Sequence, residues 1–238
     1  MFRRILISSS TNISLESARI GVVTSLPVAL SVFAYGLVYG LLTKEAGLNL
    51  MEAALSSGVI FAGSAQFVAL DMWIHPLPVS ALIFTTFVVN LRHVLMSASL
   101  TPWLRKAVPQ VRYPLLFFLV DESWALTYSA LVRGKVDLGF LLGSGVLLWI
   151  TWVSATLSGR TVGAVISDPA QFGLDFAFTA VFLVLLFGLW KGKEDIPAWA
   201  IAATTALVVH YFIPGKWYIV IGGLTGSMTG LWRSNALR

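Results

Sequence analysis

The 238-residue sequence contains no cysteine, which excludes a disulfide framework and any thiolate metal site. Charge is almost as scarce: 11% of residues are Asp, Glu, Lys or Arg, against about 25% in soluble domains. Histidine occurs three times, at His75, His93 and His210, without the clustered spacing that ligates a metal. There is no serine-nucleophile motif and no phosphate-binding glycine loop, so nothing in the sequence makes a case for an enzyme, a nucleotide-driven machine or a bound cofactor. The 16 Lys and Arg outnumber the 11 Asp and Glu, but they are scattered singly and in pairs through short loops. That distribution excludes the basic patch of a nucleic-acid binder and resembles topology signals instead.

What the sequence has is length of apolar run. Hydrophobic residues make up 57% of the chain and the mean hydropathy is +0.83, values that define an integral membrane protein. Crossing a hydrocarbon layer takes about 20 apolar residues in a helix, because backbone groups cannot be left unpaired in lipid. Eight candidate spans follow, at about 21–43, 50–74, 79–100, 113–131, 136–157, 172–190, 197–213 and 217–232. The expected fold is therefore all-α, a polytopic transmembrane bundle of about eight spans, with some helices interrupted. Seven spans plus a re-entrant segment is the alternative, since 160–171 carries Gly163, Asp168 and Pro169. Residues 1–19 read as a polar, uncleaved lead-in, 20–233 as a single transmembrane domain and 234–238 as a short tail. Trp73, Trp103, Trp190, Trp199, Trp217 and Trp232 fall near the proposed ends, where indole rings favour the headgroup region.

Placing the amino terminus in the cytoplasm puts nine cations on that side: Arg3, Arg4, Arg19, Arg133, Lys135, Lys191, Lys193, Arg233 and Arg238. Arg105, Lys106 and Arg112 fall on the wrong side in this scheme, and a half-helix earlier in the chain would reverse them.

Small residues spaced by four, Gly36 with Gly40 and Gly222 with Gly226 and Gly230, predict close helix packing. The stretch FAGSAQF at 61–67 continues a stripe of Ala54, Gly58 and Ala62 but adds Gly63, Ser64 and Gln66 at depth. Two explanations stand for it: ordinary small-residue packing, or a locally unwound helix whose free N–H groups receive an anion.

The third apolar run contains NLRH, that is Asn90, Leu91, Arg92 and His93. A helix from Pro78 rises about 21 Å before Arg92, which places the guanidinium well inside the layer. Asn90 and His93 share a helical face, while Arg92 lies about 200° from Asn90. The next run places Asp121 and Glu122 eight and nine positions deep. Three unpaired charges there would cost roughly 7–10 kcal/mol to insert, so Arg92 is expected to pair with Asp121 or Glu122. Snorkelling of Arg92, or a purely structural ion pair, would meet the same requirement, and His93 is either a hydrogen-bonded filler or a proton-coupling group. A free amino acid suits the set: its carboxylate would take Arg92 or unwound N–H groups near Gly63, Ser64 and Gln66, its ammonium Asp121 or Glu122, and its side chain the Phe and Leu walls, with Asn90 a further substrate-binding candidate. His93, Asp121 and Glu122 are the candidates for carrying a coupled proton.

FAGSAQF, NLRH followed by SASLTPWL, DESWAL and GLDFAFTAVFLVLL occur in that order and together resemble the AzlC family, the large subunit of bacterial branched-chain amino acid exporters. The likeness covers about 21–230. It implies export of branched-chain or similar small apolar amino acids from the bacterial cytoplasmic membrane, driven by an ion gradient, with a small hydrophobic AzlD-type partner subunit. It also carries over Gly63, Gln66, Asn90, Arg92, His93, Asp121, Glu122, Asp175 and Phe176 as motif positions. Asp175 and Phe176 would stand at the start of a helix, where a carboxylate is favoured by the dipole. An ion-conducting channel subunit and a non-transporting assembly component remain as alternatives.

Overall fold

The computed structural model describes residues 13–134, 136–165, 183, 192–213 and 217–236, and all of their regular elements are helical. In chain order these are α1 (Leu15–Glu45), α2 (Leu50–Leu55) running into a π-helical turn (Ser56–Ile60), α3 (Gly63–Asp71), α4 (Val79–Leu104), α5 (Pro109–Phe117), α6 (Asp121–Val132), α7 (Leu138–Val165), a 3-10 turn (Lys193–Asp195), α8 (Ile196–Phe212) and α9 (Trp217–Ala236). Among the described residues, three helices are long and apolar enough to cross a membrane: Leu15–Glu45, Val79–Leu104 and Leu138–Gly163. Contacts divide the chain into two compact units, Met1–Leu70 with Asn90–Pro169, and Asp71–Val89 with Ala170–Arg238. The predicted span at 172–190, with Asp175, Phe176 and Trp190, lies outside the described residues apart from position 183.

The first unit is built on α1 and α7, which meet backbone to backbone through glycine. A Cβ on Gly40 would strike the Thr156 carbonyl, one on Gly143 the Ala18 carbonyl and one on Gly159 the Leu37 carbonyl, while Gly36 would come within 2.6 Å of Ala155 Cβ. Only hydrogen at these positions permits so close an approach. The partners climb together, 18 with 143, 37 with 159 and 41 with 163, so the two helices run parallel. Parallel running requires a single net return crossing between them, and α4 is the one intervening helix long enough to supply it.

The predicted spans at 50–74 and 113–131 are the correction to the eight-span expectation, because each is a broken hairpin. In the first, Leu48 accepts a hydrogen bond from Arg160 Nε near the end of α7 at 3.0 Å, and Gly58 accepts one from Trp149 Nε1, deeper along α7, also at 3.0 Å. Gln66 then reaches back to the Ser56 carbonyl at 3.1 Å. In a straight helix ten residues span about 15 Å, more than a glutamine side chain can bridge, so the chain has turned back on itself. The turn is made at Phe61, whose φ of 43° lies in the left-handed region.

The second hairpin enters from the other end. α5 starts just after α4 ends and runs back along it until Leu116 and Phe117 stand beside Asn90 and His93. After a break at 118–120, α6 turns and follows α4 again, with Asp121 on Arg92 and Trp124 Nε1 donating to Ser99 Oγ at 2.8 Å. The two ends of this hairpin meet in one core, in which Leu131, Val136 and Leu138 pack with Leu100, Trp103, Leu104, Ala107 and Leu115. Trp103 is fully buried there, at 0% exposure, and is not the interfacial ring expected from its position near a span end. A hydropathy window sees composition and not direction, so an apolar hairpin of about 24 residues is indistinguishable from a crossing helix.

This arrangement gathers charge. Arg19, Arg105, Lys106, Arg112 and Arg133 belong to the end where α1 and α7 begin and the second hairpin enters, whereas Lys44 and Arg160 belong to the opposite end.

In the second unit α8 and α9 form an antiparallel pair. Gly222 faces Ala206, Gly226 faces Ala202 and Gly230 faces Ala198, with virtual Cβ distances of 2.9, 2.7 and 4.0 Å to the alanine methyls.

Candidate functional site

The tips of the two hairpins meet in the first unit, at mid-length of α4. They line a pocket of about 240 Å³, open on one side, formed by Ile60, Phe61 and Ala62 from the first tip, Leu116, Phe117 and Leu119 from the second, and Asn90 and His93 from α4. Irregular backbone at membrane depth is tolerated only where protein buries it or a cavity meets it, and both conditions hold here.

Each tip is tied by one polar side chain. Gln66, 2% exposed, accepts from the Ala62 N–H at 3.1 Å and the Trp152 indole N–H at 3.2 Å, and donates to the Ser56 carbonyl at 3.1 Å. Tyr39 stacks on Trp152 with 5.4 Å between centroids, and its hydroxyl shares a 3.0 Å hydrogen bond with Ser56 Oγ. Ser57 Oγ donates to Thr156 Oγ1 at 2.9 Å. At the second tip buried Ser123 donates to the Phe118 carbonyl at 2.6 Å and accepts from the Val120 N–H at 3.0 Å. Every one of these bonds takes up a backbone group or side chain left over by a helix break.

The polar residues of α4 divide by face. Asn90 and His93 line the cavity; His93 Nδ1 lies 3.2 Å from the Asn90 carbonyl, and Asn90 Oδ1 is buried without a hydrogen-bond partner among the described residues. With Nδ1 donating to that carbonyl, Nε2 of His93 is left as an acceptor. Arg92 turns the other way and meets Asp121, Nη1 to Oδ2, at 2.5 Å. Their side chains are 32% and 46% exposed, and neither contributes to the cavity lining.

Asp121 and Glu122 differ from their expected setting. They occupy the first turn of α6 after a break, not the interior of a continuous helix, so the exposed N–H groups and the helix dipole stabilise both by roughly 0.3–1 kcal/mol each. Glu122 is exposed and lies outside the cavity lining. Gly63 and Ser64 open α3; a Cβ on Gly63 would meet the Trp152 ring at 3.3 Å. The structure therefore brings Asn90 with His93, and Arg92 with Asp121, and it packs Gln66 against Trp152 and away from the cavity. No group of three or more His, Cys, Asp or Glu residues suited to a metal occurs among the described residues.

Sequence reasoning gave no structural role to Phe61, Phe117, Ser123, Trp152 or Tyr39. The signal available for Ser123 was its place three residues after Val120, the spacing of a capping side chain. Gly139, Gly143 and Gly159 of α7 were also legible, because they lie at multiples of four like Gly36 and Gly40.

Long apolar helices, two broken hairpins and a polar-floored pocket between their tips define a helical membrane protein with a ligand-sized pocket. The model of AzlC proteins matches residues 27–166, more than half of the chain. The Bacillus subtilis branched-chain amino acid transport protein AzlC is 30% identical over 177 residues, 72% of this chain and 68% of that protein. An uncharacterized membrane protein of Archaeoglobus fulgidus is 29% identical, covering 90% of this chain and 94% of its own, and one of Haemophilus influenzae is 28% identical, covering 89% and 86%. The chain belongs to the AzlC family. No solved structure matches it significantly.

Proposed function

We propose that this protein is a secondary transporter that exports branched-chain or similar small apolar amino acids across the bacterial cytoplasmic membrane, drawing on an ion gradient and acting with a small hydrophobic AzlD-type subunit. The observation that carries this reading is the cavity between the hairpin tips. Its volume of about 240 Å³ lies below the ~300–1,000 Å³ of drug-sized sites and equals roughly eight water volumes, a fit for a small amino acid. Asn90 and His93 supply its polar floor, and two phenylalanines and four aliphatic side chains supply its walls.

In this mechanism Asn90 Oδ1 accepts from the substrate ammonium, and N–H groups in the first turn of α3, at Gly63 and Ser64, receive its carboxylate. Arg92 and Asp121 neutralise each other and fix the second hairpin to α4, while Gln66 fixes the first hairpin to α7. His93 and Glu122 are the groups left to carry a coupled proton. The excess of cations at the end bearing Arg105, Lys106 and Arg133 supports a cytoplasmic position for that end and for the second hairpin. The first hairpin then enters from outside, so each face of the membrane has one hairpin leading to the site, an arrangement suited to alternating access.

Counterflow tests the reading. Proteoliposomes holding the chain with its coexpressed small subunit and loaded with unlabelled leucine or valine should accumulate labelled leucine, and Asn90→Ala should abolish this. An ionic current without exchange would assign a channel, and the absence of both would assign an assembly component.

A further inference from the structure

We infer that Phe61 and Phe117 set which amino acids the cavity accepts, with Phe117 as the adjustable wall; the inference rests on the transport reading above. Asn90, assigned to the ammonium, and the N–H groups at Gly63 and Ser64, assigned to the carboxylate, address what all free amino acids share, so they cannot tell one side chain from another. Discrimination has to come from the walls, where two rings from opposite hairpins face each other with centroids 6.0 Å apart and planes tilted by 39°.

The backbone at Phe61 supports a dedicated role for its ring. At φ 43° this residue occupies a region where glycine or asparagine would be unstrained and a bulky side chain is penalised. The phenylalanine is kept there by the Gln66 bonds on either side of the turn, which fix the direction of the Cα–Cβ bond and aim the ring at the cavity. Phe61 is buried and cannot change size without disturbing the tip. Phe117 is different. It ends α5, one residue before the break, and stays 38% exposed while still lining the cavity. Trimming or enlarging it alters the cavity and its ring contacts with Phe61 and neighbouring Phe118, and removes no hydrogen bond. In a pocket of about eight water volumes each methylene is a large fraction of the space, and one methylene changes selectivity by roughly 10- to 200-fold.

The test is competition in leucine counterflow, measured with alanine, valine, leucine, phenylalanine and tryptophan as competitors. Phe117→Ala should shift the phenylalanine-to-leucine preference by about tenfold or more toward phenylalanine, and Phe117→Trp should weaken leucine about tenfold or more while sparing alanine. Phe117→Leu, a milder change within the apolar class, should move the order in the same direction as Phe117→Ala and guards against a variant that fails to fold. Wild-type counterflow with the competitor order unchanged in the folded variants would overturn the inference and leave the transport reading standing. Wild-type protein that exchanges no amino acid would overturn that reading and this inference with it. A melting-temperature series in detergent with the same five amino acids supplies a second readout, and the order of their stabilising effects should change in parallel.

Discussion

Replacing Gln66 by leucine tests how the first hairpin is held. The change conserves approximate volume but removes one side-chain acceptor used twice and one donor, leaving the Ala62 N–H and the Trp152 indole N–H unpaired, while the Ser56 carbonyl keeps its i→i+5 bond in the π-helical turn. Each orphaned buried group costs about 1–3 kcal/mol, so the gross penalty is roughly 2–6 kcal/mol. The tip can relax, so the expected loss is about 2–4 kcal/mol. For a chain of this size that lowers the apparent melting midpoint in detergent by on the order of 10 °C. Thermal unfolding followed by tryptophan fluorescence measures it directly. Gln66→Asn should be nearly as damaging, since the shorter side chain cannot span from Ser56 to Trp152. A Gln66→Leu protein melting within about 2 °C of wild type but failing to bind substrate would refute the argument, because it would return Gln66 to the substrate-contacting role suggested by its place in the motif.

Ser123→Ala should cost about 1–2 kcal/mol in the same assay through loss of the second tip's bonds to Phe118 and Val120, and an unchanged midpoint would contradict this. A double-mutant cycle on Arg92→Ala and Asp121→Ala should give a coupling of about 1 kcal/mol, modest because both side chains are partly exposed, and strict additivity would show that the pair is not energetically linked. Gly40→Leu should destabilise by about 1–3 kcal/mol or more by forcing α1 away from α7, whereas Gly223→Ala, which meets no atom within 4 Å, should stay within about 0.5 kcal/mol of wild type or gain slightly; equal effects would contradict the packing account.

The parts of this fold visible in the sequence are those that energy alone dictates. Arg92 and Asp121 of DESWAL are too costly to leave unpaired in lipid, so their meeting follows from depth and sign. Glycine, serine and glutamine in FAGSAQF admit a broken helix, and the break is there. The second break was hidden because Phe117, Phe118, Leu119 and Val120 are as apolar as any span interior, and because Asp121 at a helix start has the same one-letter signature as Asp121 within a helix. Trp103 was assigned to the headgroups because it falls near a proposed span end, but the returning hairpin covers it. The misfit of Arg105, Lys106 and Arg112 was the sequence's own sign of a half-crossing, and on the proposed topology the first hairpin removes it by shifting that loop to the other face. Family membership was legible from four short motifs in order, and the comparison with AzlC proteins bears it out.

The central claim is that 109–132 enters and leaves by one face of the membrane. Because the chain has no native cysteine, single-cysteine variants at Arg105, Arg133 and Lys44 can be labelled with a membrane-impermeant maleimide in intact cells and in inverted vesicles. The account predicts that positions 105 and 133 react only in inverted vesicles and position 44 only in intact cells. Labelling of 105 and 133 from opposite faces would contradict it.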